Sequence, residues 1–347
     1  MTQSNAPTVT LLIAAYNEKE ILLAKLKNSY SLSYPADQLT ILFVTDGSTD
    51  GSNEMFSDYP LVKVMHRPSR AGKLAAVNRA MKKVTSEIVV LTDANCMLNE
   101  MALRNIVKHY QDPKVGAVAG EKRVVSKGHT SGKGEGLYWK YESLLKRMDS
   151  KLNTTVGAAG ELFSFRRSLY TEVATDTIIE DFVLSMEIAA SGYKVVYEPE
   201  AIAQEGSSAN FSEEWKRKVR ICAGGFQAIK KFSYLLKPSN FGLRSFQFLS
   251  HRLLRWAIVP FLLPIIFSLS AFLAFSGDAL FRVFFLTQTI AYGLAGLGLF
   301  YLKRDKIPSL ISIPFQFAMM NGAAYAGLFR YLKGNQSAIW EKARRCS

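Results

Sequence analysis

The sequence predicts an α/β protein, a mostly parallel sheet with intervening helices, followed by apolar helices towards the C-terminal end. Three observations carry that reading. Short β-branched runs alternate with helix-length stretches from residue 8 onward, the pattern of βαβ units buried on both faces. Polar residues gather where those runs end, at Asn17-Glu18, Asp46-Gly47-Ser48 and Asp93-Ala94-Asn95, where open α/β sheets place a ligand crevice. From residue 256 the chain turns strongly apolar in three segments, each near the ~20 residues an α-helix needs to cross a bilayer.

The elements follow in order. VTLLIAAY is a first buried strand, too short to span a bilayer, and 18–30 a helix; LTILFVTD, VKVMHR, EIVVLTDAN and VGAVAG are further strands, with helices at 73–84 and 101–110. Gly128, Gly132, Gly134 and Gly136 mark 121–137 as a mobile loop. An amphipathic helix is expected at 137–152, a turn and strand in GAAGELFSFRRSLY, a helix at 181–191 ended by Gly192, and a strand in YKVVYEP. The segment 241–255 mixes Phe, Leu, His and Arg, as an interfacial helix does. The apolar segments are 256–276, 281–302 and 308–329. The expected division is residues 1–237 against residues 238–347.

Charge separates the same two parts. Of 347 residues, 43 are Lys or Arg and 29 Asp or Glu, a formal +14. Residues 1–214 hold 24 basic and 26 acidic side chains, 215–255 hold 10 basic and none acidic, and 256–347 hold 9 against 3. A nucleic-acid protein spreads positive charge over its substrate face, whereas this surplus begins just before the chain turns apolar, as a juxtamembrane belt does. Cys96, Cys222 and Cys346 suggest neither a disulfide framework nor a zinc site. His66, His109, His129 and His251 have no partner at metal or triad spacing and are expected to be surface or packing residues. The N-terminus has no basic leader, which leaves the first domain in the cytoplasm. A third full crossing would carry Arg330, Lys333, Lys342, Arg344 and Arg345 outside, against the positive-inside rule, so two or three crossings are expected.

Singly, each acid at a strand end reads equally well as a helix or turn cap. Together, Glu18, Asp46, Lys73, Asp93, Asn95, Asp181 and Arg220 supply what a sugar nucleotide asks for. They offer acceptors for an imide and hydroxyls, cations or a metal site for a diphosphate, and a carboxylate base for an attacking hydroxyl.

The runs AAYNE (14–18), TDGSTDGS (45–52), RAGKLAAVN (70–78), TDAN (92–95), GAAGELFSFRR (157–167), IED (179–181) and RKVRICAGG (217–225) occur in the order and spacing of one family. The chain resembles the inverting glycosyltransferases of family 2, related to the cellulose, chitin and hyaluronan synthases. The likeness runs over about residues 8–260.

The resemblance implies a GT-A catalytic domain with membrane helices after it, and a sugar transferred from a UDP-sugar to a glycan or lipid-linked acceptor in polysaccharide biosynthesis. Ala15, Tyr16 and Glu18 would contact uracil and ribose, Asp46 would accept from the uracil ring, and Lys73 would lie near the base or diphosphate. Asp93 and Asn95 occupy the family's DxD, which holds Mn²⁺ or Mg²⁺. Asp181 would be the general base, with Glu180 raising its pKa; Gly160 and Glu161 would line the acceptor side, and Arg220 would bind the leaving diphosphate. The implied partners are the donor, the acceptor, membrane lipids and other synthesis or export subunits. The implied location is the plasma membrane, multi-pass, with the catalytic domain cytoplasmic.

Two departures matter. Asn95 stands where a second aspartate is usual, and a neutral amide is the weaker ligand for a hard cation. Arg217 and Ile221 replace the Gln and Trp of the processive relatives' QxxRW, which leaves single transfer as open as polymerisation; Arg217 and Lys218 also read simply as a solvated basic face. The other function class is a catalytically degenerate, glycan-binding partner subunit, supported by those departures alone.

Overall fold

The computed structural model describes residues 6–56, 59, 61–125, 131–208, 210–302 and 307–334. These fall into two units, residues 6–125 with 139–206, and residues 131–138 with 207–334.

The first unit is built on eight strands: β1 (Val9–Ala15), β2 (Leu39–Asp46), β3 (Val62–Arg67), β4 (Ile88–Asp93), β5 (Met97–Leu98), β6 (Val115–Val125), β7 (Phe163–Arg166) and β8 (Lys194–Gly206), in the order β3-β2-β1-β4-β7-β6-β8-β5. Parallel pairing joins β3, β2, β1 and β4, as the alternating pattern predicts. β7 runs antiparallel to both β4 and β6, which no local pattern announces.

All seven residues of β1 are buried, and all but Thr10 are apolar. Phe43 of β2 stacks on Phe56 at 4.3 Å between ring centroids, and both are fully buried. Removing either ring should cost about 3–5 kcal/mol.

The helices of this unit are α1 (Lys19–Tyr30), α2 (Lys73–Met81), α3 (Ala102–Val107), the part of α4 (Ser131–Leu152) from Trp139 on, and α5 (Glu180–Ala190). α5 opens with two acids, which its N-terminal dipole favours, and stops before Gly192, whose φ is +100°.

The expected loop at 121–137 is corrected. β6 continues to Val125 because its second half pairs with β8, Glu121 opposite Ile202 and Val125 opposite Gly206. α4 then begins at Ser131 rather than 137; residues 126–130, with Gly128 and His129, lie outside the described residues.

The second unit contains α6 (Phe211–Lys231), the short helices α7 (Pro238–Phe241) and α8 (Leu243–Phe248), a π-helical stretch (Leu249–Ile258), α9 (Val259–Phe275), α10 (Ala279–Tyr301) and α11 (Ser309–Leu332). α8, the π-helical stretch and α9 run on as one continuous helical segment, Leu243–Phe275. Asn210 caps α6 by accepting from Glu213 N at 3.0 Å, and Asp278 caps α10 from Leu280 N and Phe281 N.

Among the described residues two helices are long and apolar enough to cross a membrane, Leu243–Phe275 and Ala279–Tyr301. Gln288 of α10 donates to Ser270 Oγ of α9 at 3.1 Å. α11 is not among them. It carries Gln316, Asn321 and Arg330, and packs its small residues on α6, where a Cβ on Gly327 would meet Cys222 at 2.6 Å. Lys303–Lys306 and the basic residues after 334 lie outside the described residues.

Candidate active site

The ends of β1 and β2 are tied together by side chains. Asn17 adopts φ +51°, a left-handed conformation asparagine tolerates. Its N–H donates to Ser48 Oγ at 3.1 Å and its Oδ1 accepts from Thr49 N at 2.9 Å. Asp50 Oδ2 accepts from Lys19 N at 3.0 Å, closing the first turn of α1. The capped-turn reading of 46–50 therefore belongs to Asp50.

Asp46 holds a different segment. Its Oδ2 accepts from Ala71 N at 2.7 Å and Gly72 N at 2.6 Å. Oδ1 is buried without a hydrogen bond, 3.6 Å from Arg79 Nη1. The loop so anchored lays Arg70 over the ring of Tyr16, 3.8 Å from its centroid. Gly47 permits that approach: its φ is +70°, and a Cβ there would lie 2.7 Å from Arg70 Cβ. Ala15, Tyr16, Asp46, Arg70, Gly72 and Lys73 line one small cleft. Glu18 is buried at the start of α1 and lines neither cleft.

Lys73, the first residue of α2, joins this cleft to a second. That cleft is lined by Lys73, Asp93, Gly160, Glu180 and Asp181 over an apolar floor that includes Leu74, Phe163 and Leu184. Lys73 Nζ lies 2.7 Å from Asp93 Oδ1 and 3.1 Å from Glu180 Oε1. Burial works against its ammonium, but Asp93 and Glu180 outweigh burial and hold its pKa well above the ordinary lysine value.

Asp181 is pushed up to about 7, by burial first and by the Glu180 charge second, with Lys73 opposing. Glu180 thus acts in the expected direction as the lesser cause. α5 starts at Glu180 with Ile179 before it and no side-chain cap, and Asp181, in its first turn, lines the cleft. A Cβ at Gly160 would stand 3.3 Å from Asp181 Oδ2.

Behind Asp93 runs a chain of polar groups centred on the buried Lys122 and Glu205. Asn95 Nδ2 donates to Glu205 Oε1 at 3.0 Å, Lys122 Nζ pairs with Glu205 Oε2 at 2.6 Å, and Lys122 also pairs with Glu161 Oε1. Glu161 is therefore held by an ion pair. Beneath the same loop Lys25 of α1, fully buried, donates from Nζ to Thr92 Oγ1 at 3.3 Å and to Cys96 O. Burial brings its pKa down to about 8.

Arg217 and Arg220 stand on α6 in the second unit. Arg217 Nη2 pairs with Glu214 Oε2 at 2.9 Å, and Lys218, itself buried, lies 3.6 Å from Glu214 Oε1. Against burial, Arg217 and Lys218 hold Glu214 at about 2. These two cations are internal counter-charges, not the solvated face that composition allows. His66, exposed at the surface, hydrogen-bonds with Thr45 Oγ1 at 2.8 Å, and His109 contacts Glu198 Oε2 at 2.6 Å.

A divalent cation has oxygen donors here but an incomplete shell. Lys73 pairs with Asp93 Oδ1, and Glu205 holds the nitrogen side of the Asn95 amide, whose Oδ1 accepts only from the weak Cys96 Sγ donor at 3.6 Å and keeps acceptor capacity for a cation. Among the described residues no group of three or more His, Cys, Asp or Glu could hold a metal. Asp93 and Asn95 thus fit a hard ion whose remaining ligands come from a bound diphosphate.

Residues 10–173 match the sequence profile of Glycosyl transferase family 2. This segment is a glycosyltransferase family 2 domain. It contains all the residues of the two clefts except Glu180, Asp181 and Leu184. The chain is 28% identical over 249 residues to the poly-beta-1,6-N-acetyl-D-glucosamine synthase of Staphylococcus aureus strain COL, covering 68% of this chain and 59% of that one. For the synthase of the same name from Staphylococcus epidermidis the identity is 26% over 260 residues, 72% and 63% of the two chains. The chain therefore spans less than two-thirds of the length of these relatives. Among solved structures it is similar to the mannosyltransferase PcManGT of Pyrobaculum calidifontis, determined with GDP-Man and Mn²⁺, at TM-score 0.73 and 26% identity over 96% of this chain and 89% of that one. The glycosyltransferase domain has the GT-A-like fold expected of it, with apolar helices after it.

Proposed function

We propose that the chain is a membrane-anchored, inverting glycosyltransferase that moves a sugar from a UDP-sugar to a glycan or lipid-linked acceptor in assembly of an extracellular polysaccharide. Residues 1–237 would form the catalytic part and residues 238–347 the membrane part. The carrying observation is Asp181, a half-buried carboxylate pushed up to about 7 in the cleft that also holds Asp93 and Lys73. A base with a pKa near neutrality suits the deprotonation of a sugar hydroxyl. The similarity to the staphylococcal synthases supports the polysaccharide setting.

On this reading the acceptor oxygen attacks C1 of the donor while Asp181 takes its proton. The bond from C1 to the diphosphate oxygen breaks, and the nucleoside diphosphate leaves with the electron pair; attack opposite the leaving group inverts C1. Lys73 would attract the diphosphate, Ala15, Tyr16 and Glu18 would serve the nucleoside side, and Gly160 and Glu161 the acceptor side. Asp46 contributes through the loop it holds. Asp93 and Asn95 would hold Mn²⁺ or Mg²⁺, which when bound neutralises charge on the leaving diphosphate.

The Leu243–Phe275 and Ala279–Tyr301 helices would anchor the chain in the plasma membrane with its catalytic part cytoplasmic, helped by the ten cations of 215–255. A second donor class is favoured by one observation, the GDP-Man bound to the similar mannosyltransferase. The test is nucleoside diphosphate release by detergent-solubilised protein from a panel of UDP-sugars and GDP-mannose with Mn²⁺, for wild type and Asp181→Asn. Turnover of a UDP-sugar, lost in the variant, is the expected result. Turnover of GDP-mannose alone overturns the donor assignment, and no turnover by wild type favours the degenerate binding subunit.

A further inference from the structure

From Trp139 to its end, α4 is inverted relative to an ordinary surface helix. Glu142, Lys146 and Asp149 are buried, whereas Tyr141, Leu144, Met148 and Leu152 are 54%, 54%, 58% and 50% exposed. The buried charges are partnered inside the protein, which explains how they are tolerated but not why the apolar side chains face outward. At about 100° per residue, Leu144, Met148, Tyr141 and Leu152 fall within an arc of about 80°. Arg147, Lys140 and Lys151, all exposed, fall in an adjoining arc of about 40°. The outward face thus carries an apolar stripe edged by three cations and no carboxylate, since both acids of this stretch are turned inward.

We propose that this 140–152 face of α4 docks on an anionic lipid surface. An apolar stripe lies at the depth of the headgroups while basic side chains at its edge reach the phosphates, their methylene stems covering apolar surface. Charge selects this occupant. A second copy of the chain would bring two rows of three cations together across a two-fold contact, which like-charge repulsion opposes, whereas an anionic leaflet matches all three. The proposal rests on the membrane anchoring proposed above. It adds that the glycosyltransferase unit has a lipid contact of its own, separate from the apolar helices and from the basic stretch 215–255.

The test uses the full chain in vesicles of phosphatidylcholine with or without phosphatidylglycerol. In a Cys346→Ser background, with Cys96 and Cys222 buried, an environment-sensitive fluorophore is attached through Met148→Cys, Lys83→Cys or Phe272→Cys, in α4, after α2 and in α9. Doxyl-labelled lipid then reports proximity to the bilayer. The expected result is quenching at 272 in both vesicle types, quenching at 148 that is strong with phosphatidylglycerol, and none at 83. Combining Met148→Cys with Lys140→Gln, Arg147→Gln and Lys151→Gln should abolish the quenching at 148 and leave 272 unchanged. Quenching at 272 without any at 148 overturns the proposal while the anchoring stands; quenching at neither removes both. A probe at 148 that is shielded in detergent by a second copy, shown by doubled particle mass, also overturns it.

Discussion

Lys73 Nζ stands 3.1 Å from Glu180 Oε1, and this contact sets the neighbouring acids Glu180 and Asp181 apart. Glu180 lies against an ammonium; Asp181 is pushed up to about 7, by burial first, with Lys73 opposing. The adjacent charge of Glu180 then adds to the burial of Asp181.

The stability consequence has a definite sign. Asp181 takes its proton near 3.8 when unfolded and near 7 when folded, so the folded state binds the proton more tightly and stability falls as pH rises between those values. Three units correspond to about 4 kcal/mol as an upper bound. Asp181→Asn should therefore unfold at a higher temperature than wild type at pH 8, with the difference fading towards pH 4, as measured by thermal unfolding in detergent at several pH values. Equal curves at pH 8 would show that burial of the carboxylate costs nothing.

Gly160→Ala tests how closely the acceptor side approaches the base. Its Cβ would lie 3.3 Å from Asp181 Oδ2, so the carboxylate must shift by a few tenths of an ångström without strain in the rest of the unit. Turnover should fall by about 10-fold to 100-fold with the melting temperature held within a few degrees. Wild-type turnover in this variant would mean that the position of Asp181 is not critical.

Glu205 explains why residue 95 is an amide. The Asn95 Nδ2 to Glu205 Oε1 hydrogen bond of 3.0 Å would become two carboxylates at contact in Asn95→Asp, a costly arrangement in a buried site. The single variant should be destabilised by about 1–3 kcal/mol and bind Mn²⁺ in the presence of UDP no better than wild type, read by electron paramagnetic resonance. Adding Glu205→Gln should restore stability. An Asn95→Asp protein as stable as wild type would show that Glu205 does not select the amide.

Asp46→Ala removes the acceptor that Ala71 N and Gly72 N share. Losing both bonds should release the loop carrying Arg70 from Tyr16 and weaken UDP binding by about 10-fold or more, measured calorimetrically. Unchanged affinity would argue that the loop holds its shape without Asp46.

What could be foreseen divides by the range of the interactions. The strands β1, β2 and β4 are mainly apolar, and Asp46 and Asp93 stand at the ends of two of them, so local pattern suffices for the strands and these two acids; Lys73 and Asp181 open helices and are legible only through their motifs. The antiparallel β7 and the extension of β6 to Val125 depend on partners some 40 to 80 residues away. Lys122 and Glu205 are silent in the sequence for the same reason, because each reads as an ordinary charge until the other is beside it. Lys25 did carry a local sign, a lysine among Leu22, Leu26 and Ser29 on the buried face of α1. Arg70 could be found only within its motif, since its contact with Tyr16 depends on a loop folded back by Asp46.

The most direct measurement is the pH dependence of kcat/KM for wild type, Asp181→Asn and Glu180→Gln with the preferred donor. A base that must be ionised gives a rate rising with pH to a plateau, with its midpoint near the Asp181 value of about 7. Glu180→Gln removes a charge that raises that value, so the midpoint should move to lower pH. Asp181→Asn should lose about 10²-fold to 10⁴-fold in rate together with the limb. A limb that stays in place in Glu180→Gln and survives in an active Asp181→Asn protein would contradict the assignment of Asp181 as the base.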